Sequence, residues 1–398
     1  MLNIKNIKNI KDMTSRLFEK YTLNNKVEVP GRLVVGPLTL FGSNPDGSIS
    51  EEEKEYLKLR GTGIGLYILG ATAVTQNGIT FTTQPRALSE KDLPSLEERA
   101  KIIKSQGALA INQIHHGGYL AKKEFSGCDP LAPSAEIANQ ILKEKNSLNS
   151  PVKDLNDEEI KQIIEGFGKA TELSLKAGYD GIEIHGANNY ILQQFYSPYT
   201  NRRTDEWGGS DEKRMNFSLK VLDACIKIKE KYNRPDFIIG YRLSPEEPYE
   251  SGITMTETIK LLKVLVTKPL QYIHISQWNY FKKARRGEGA GQERLKIIHE
   301  ITKGKTALIG IGGLKSEADL NKAVDTGFSE FIGIGLASMM NKDFGILLKE
   351  NKGDKLNLEF EPEHPEKYSI PSFLWKMCLS NQNWLPPVKG LPHDHEGI

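Results

Sequence analysis

At 398 residues the chain is long enough for two or three ordinary domains, and equally for one α/β barrel with additions. Charged residues make up 26% and hydrophobic ones 38%, a globular composition, and a formal net charge of +2 excludes a general attraction to nucleic acid or to an anionic membrane. No run approaches ~20 apolar residues, and Met1 to Asp12 alternates Ile with Lys and Asn where a signal peptide would be continuously apolar, so the expected location is cytoplasmic.

In chain order, short β-rich apolar runs alternate with amphipathic stretches. The strand candidates are Val34–Leu40, Gly65–Val74, Leu109–His115, Gly181–His185, Phe237–Leu243, Tyr272–Ser276, Ala307–Gly312 and Phe331–Gly335. Between them lie helical patterns such as Asp157–Ala177, read with an Asp cap, and Asp211–Lys231. Eight strands with intervening helices predict an α/β fold, a closed (β/α)8 TIM barrel spanning residues 1–350. Such barrels carry their chemistry at the carboxyl ends of the strands. Residues 117–152, after the third strand, are too many for a barrel loop and predict a capping segment. Residues 351–398 form a Pro-punctuated, aromatic-bearing extension that needs a surface to bury against. That surface is either its own barrel or a neighbouring subunit, the second of which implies a homo-oligomer.

Several motifs carry little. Gly61-Thr-Gly-Ile-Gly precedes a strand instead of following one, so it reads as a helix-to-strand turn and not a dinucleotide loop. The adjacent His115 and His116 point to opposite faces of a strand and cannot easily chelate one metal. The cysteines, Cys128, Cys225 and Cys378, lie far apart, which argues against a zinc or iron–sulfur centre. No metal is expected. The basic run Lys282 to Arg286 reads either as a phosphate or nicotinamide contact or as a solvated loop.

The fourth strand is the informative one. It ends in His185, Asn188 and Tyr190, a hydrogen-bonding pair followed by a proton donor, and is followed by Asn201-Arg-Arg-Thr-Asp-Glu-Trp-Gly-Gly-Ser. This combination resembles the Old Yellow Enzyme family of flavin-dependent ene-reductases, over roughly residues 14 to 350. The resemblance implies FMN as cofactor, NADH or NADPH as reductant and a small enone-type substrate. It implies that His185 and Asn188 hold the substrate carbonyl and that Tyr190 protonates the alkene. It places Pro37, Leu38 and Thr39 at the end of strand one against the flavin, with Ala71 allowing close approach. Gln113 would bind the pyrimidine edge, and Arg242 would face the anionic N1 of the reduced ring. Gly312, Gly313, Gly335 and Leu336 would surround the phosphate. Phe41 and His115 would line the substrate pocket.

Two positions depart from the family. Leu336 stands where many relatives carry an Arg on the phosphate, and His115 occupies a site that varies in size among relatives. Other readings stay open at this stage. A tRNA-dihydrouridine-synthase-like reductase should add a basic RNA-binding domain. A dienoyl-CoA reductase of the iron–sulfur type would need clustered cysteines, and a flavin barrel without ene-reductase turnover would look the same in sequence.

Overall fold

The computed structural model describes residues 14–380 and 383–393. The reading of Met1 to Asp12, and residues 381–382 and 394–398 of the C-terminal extension, lie outside the described residues. The barrel strands are β1 (Leu33–Val35), β2 (Leu66–Ala73), β3 (Leu109–His115), β4 (Gly181–Gly186), β5 (Ile238–Leu243), β6 (Tyr272–Ile275), β7 (Ala307–Ile311) and β8 (Phe331–Ile334). All pair in parallel, and β8 closes onto β1. The β1 strand is shorter than the expected Val34–Leu40, for a local reason. Gly36 donates the last ladder bond to the Ile334 carbonyl at 2.8 Å, and Pro37 has no N–H to continue it.

Alternation along the strands sorts side chains between two environments. Outward residues such as Ile182, Ile184, Ile239, Ile273 and Leu308 pack beneath the helices in one large core. Inward residues at the amino ends, among them Val34, Ile68, Ile111, Ile238, Ile309 and Phe331, form a second apolar core. The hairpin Tyr21–Thr22/Glu28–Val29 closes this end, its Leu23 and Val29 joining that core. Asn24 and Asn25 in its turn donate to the carbonyls of Leu270, Lys305, Pro235 and Asp236 in the loops around it. With one end plugged, the opening is at the carboxyl ends.

Inward positions there are asymmetric. From β3 to β6 they carry Gln113, Glu183, Arg242 and His274, whereas Gly333, Gly36 and Gly70 stand in and just after β8, β1 and β2. A Cβ at Gly36 would lie 2.6 Å from Ile311 Cδ1, and one at Gly70 would lie 2.7 Å from Gln113 Cβ. These glycines therefore make room for side chains from nearby strands.

The helix Asp157–Lys176 is capped by Asn156 and not by an Asp, with Glu159 closing the capping box. Residues 117–152 contain the helix Ala135–Glu144 and a small apolar cluster of Tyr119, Ala138, Ile141, Leu142 and Val152. The extension lies on its own barrel. Its Phe360, Tyr368, Leu374, Cys378 and Leu385 bury against Met339 and Met340, and the Tyr368 carbonyl accepts from the buried Arg60.

Candidate active site

The end of β4 presents three groups whose hydrogen bonding fixes what each can donate. His185 is 3% exposed. Its Nδ1 accepts from the Ala187 N–H at 3.3 Å, so the neutral ring carries its proton on Nε2. Burial holds its pKa well below the usual imidazole range, helped by the neighbouring His115, Arg242 and His274. Asn188 takes a left-handed conformation, φ 57°, which an Asn tolerates. Its Oδ1 accepts from Ser276 Oγ at 2.8 Å and Ser244 Oγ at 3.4 Å. Those serines follow β6 and β5 directly, and by occupying Oδ1 they leave Nδ2 as the free donor. Tyr190 caps the helix Ile191–Tyr196, and burial pushes its hydroxyl pKa up, so it stays protonated.

The three rings of His115, His185 and Tyr190 meet edge to face or tilted, with centroids 4.2 to 5.4 Å apart. Phe81 packs against His115 and Tyr190, Phe41 against Phe81, and Phe373 of the extension against Phe41. Phe81 is held there by Gln84, which accepts from Thr80 and Phe81 N–H and donates to the Ala71 carbonyl. His115 Nε2 pairs with Thr80 Oγ1 at 3.0 Å, while His116 turns to Asn77 and the Gly118 N–H. Burial lowers both imidazole pKa values to about 3.

Leu38, Thr39, Ala71 and Phe41 line one cavity, together with Gly70 and Thr83. Pro37 sits beside it, half-buried. Deeper in the barrel, Gln113 Nε2 donates to Glu183 Oε1 at 2.7 Å, and Glu183 Oε2 accepts from His274 Nδ1 at 2.9 Å. Burial opposes a charge on Glu183, yet His274 and Arg242 hold its carboxyl below the usual range, while burial keeps His274 neutral.

Two buried nitrogens there lack partners: Arg242 Nε, a donor, and His274 Nε2, which in this tautomer is an acceptor. A buried guanidinium nitrogen without an acceptor is costly unless a ligand supplies one. A flavin pyrimidine edge presents both acceptors and an N–H, so these residues fit it.

The residues expected around the phosphate directly follow β7 and β8. Gly312 and Gly313 have φ of 138° and 66°, and a Cβ at Gly312 would lie 2.8 Å from the Asn279 backbone. Gly335 begins the short helix Leu336–Met340. The Leu336 side chain packs into the apolar cluster of the extension, beside Leu38, Leu40 and Phe41, so only its backbone is left for an anion. The basic run is partly committed as well. Arg286 donates to the carbonyls of Glu247 and Glu250, and the N–H groups of Arg285 and Arg286 donate to Glu246.

Sequence reasoning missed Glu183, His274, Ser244 and Ser276. For Glu183 and His274 the available signal was an ionisable residue at an inward position of an apolar strand. The Asn201–Ser210 motif proves to be a brace. Arg203 chelates Asp205 and donates to the Leu155 carbonyl, Arg202 N–H donates to Ser134, and Trp207 Nε1 donates to Asp157. It ties the capping segment to the helix behind β4.

A closed parallel barrel of this kind carries its chemistry at the carboxyl ends of its strands, where these residues meet. Residues 16–355 match the NADH:flavin oxidoreductase / NADH oxidase family, and the chain belongs to it. It is 38% identical to a probable NADH-dependent flavin oxidoreductase of Bacillus subtilis, covering 93% of this chain and 97% of that one. It is 33% identical to an NADH:fumarate oxidoreductase of Klebsiella pneumoniae, covering 92% of this chain but only 39% of that protein. An Old Yellow Enzyme homologue of Zymomonas mobilis aligns with a TM-score of 0.73 at 23% identity, over 89% of this chain and 99% of the other. Morphinone reductase aligns at 0.72 and 22%, over 90% and 96%. The protein is thus an FMN-dependent oxidoreductase using a reduced nicotinamide nucleotide. Among the described residues no helix is long and apolar enough to cross a membrane, and no cluster of three or more metal-ligating side chains occurs.

Proposed function

We propose that the protein reduces the activated C=C bond of a small α,β-unsaturated carbonyl compound, in the cytoplasm and without nucleic-acid partners. The observation that carries this reading is the meeting, at the end of β4, of two oriented N–H donors with a protonated phenol. Bound FMN supplies the hydride, obtained from NADH or NADPH. Arg242, Gln113 and the Thr39 hydroxyl would hold its ring, and backbone around Gly312, Gly313 and Gly335 its phosphate.

His185 Nε2–H and Asn188 Nδ2 hold the substrate oxygen. Both bonds strengthen as negative charge develops there, so they favour the transition state over the bound substrate. Tyr190 gives its proton to the α-carbon, and burial ensures that the proton is present at neutral pH. Phe41, Phe81 and His115 pack the hydrocarbon part and exclude water. Two relatives, an NADH:fumarate oxidoreductase and an NADH:acrylate oxidoreductase, support an activating carboxylate as a second option.

The test is anaerobic half-reaction kinetics. The purified protein should be yellow with one FMN per chain, bleach with NADH or NADPH, and be reoxidised by cyclohexenone, acrylate or fumarate. Tyr190→Phe should leave bleaching nearly unchanged and slow reoxidation by ~10²-fold or more. Equal slowing of both halves would remove Tyr190 from proton transfer.

A further inference from the structure

Four inward side chains on consecutive strands form one electrostatic unit beneath the opening. Gln113 of β3, Glu183 of β4 and His274 of β6 are joined by bonds of 2.7 and 2.9 Å, and Arg242 of β5 lies beside them with its Nε unpaired. Glu183 and His274 are 0% exposed and Gln113 is 1% exposed. A carboxylate so placed is expensive, since its solvent has been replaced by only two donors. It also acts on Arg242, which carries the one formal positive charge of the group.

We propose that Glu183 sets the reduction potential of the bound cofactor, acting as a positioning and charge-balancing residue through Arg242. Hydride uptake brings two electrons and one proton and leaves the flavin ring with one extra negative charge. Arg242 favours that charge. Glu183, fixed on the same layer by Gln113 and His274, opposes it, so the reduced ring binds less tightly than an isolated arginine would allow. The reductant is thereby kept strong enough to pass hydride onward. The inference rests on FMN being bound and is independent of which alkene is reduced.

Glu183→Gln removes the charge at nearly constant volume. An amide offers one acceptor and one donor, and His274 can meet the donor by moving its proton to Nε2. Spectroelectrochemical titration of the holoprotein should show reduced relative to oxidised flavin binding at least tenfold tighter in this variant, about 30 mV upward in midpoint potential. Glu183→Asp keeps the charge and should stay within threefold of wild type. A Gln variant with unchanged potential, or equal shifts in both variants, overturns the proposal. Should the Gln variant not take up flavin, infrared difference spectra of the wild-type holoprotein decide, with Glu183→Asp assigning the band. An ionised carboxylate perturbed on reduction supports it, and a protonated acid in the oxidised protein overturns it.

Discussion

Asn188 cannot bind an oxygen unless its amide faces the right way, and two serines decide that. His185→Ala or Asn188→Ala should each weaken binding of a phenol, whose anionic oxygen imitates an enolate, by roughly 1.5–3 kcal/mol. Ser276→Ala should weaken it less, because the amide is loosened but not removed. Titration of the flavin charge-transfer band reads all three, and wild-type affinity in the first two would take them out of the oxygen site. The buried imidazoles make a separate prediction. His115 and His116 have folded pKa values of about 3 against about 6.5 when unfolded. The unfolded chain therefore binds more protons below pH 6.5, so their stabilising contribution is complete above that pH and is lost as pH falls toward 3. Each should cost about 1.4 kcal/mol per pH unit across that window. Urea unfolding between pH 7 and 5 should show the slope, and a His115→Gln/His116→Gln variant should reduce it, the remainder coming from the likewise depressed His185 and His274.

At the level of elements, the strands were legible because each apolar run is short, β-branched and followed by a polar residue or glycine. The helix Asp211–Lys231 follows equally from its apolar periodicity and is observed with those bounds. The plugging hairpin was not legible, since Tyr21–Thr22 and Glu28–Val29 have only two residues each. Nor was the Gln113–Glu183–His274 chain, whose members lie up to 161 positions apart in sequence, from 113 to 274, and meet only when the barrel closes. Position 336 shows the same limit. Aligned on its glycine it looks like a lost phosphate ligand, but in three dimensions its side chain supports the extension. Leu336→Arg should therefore lower thermal stability, by about 1–3 kcal/mol, instead of tightening FMN. Gly312→Ala combines a φ of 138° with backbone contact at 2.8 Å and should lose FMN on dilution. Cofactor retention after gel filtration checks the second, and denaturant midpoints the first.

Across the whole molecule, the extension is both a buttress and a boundary. Truncation after residue 355 would uncover Met339, Met340 and Leu336 and strip Arg60 of its bond to the Tyr368 carbonyl. Such a variant should melt at a lower temperature and aggregate on heating, measured by calorimetry and light scattering. A Phe373→Ala substitution separates the two roles, because that ring is 50% exposed and contributes little burial. It should leave melting almost unchanged while altering relative KM values for bulky and small enones. The proposed oxygen-binding donors and the phenol come from one strand end, but Phe41 and Phe81 come from two loops and Phe373 from the helix Ser372–Leu379, all far apart in the chain. Changes in any of those three segments can redraw the cavity while the reacting groups keep their spacing. Duplicated copies of such a gene can thus drift toward different substrates by neutral variation in these segments, with the chemistry inherited intact.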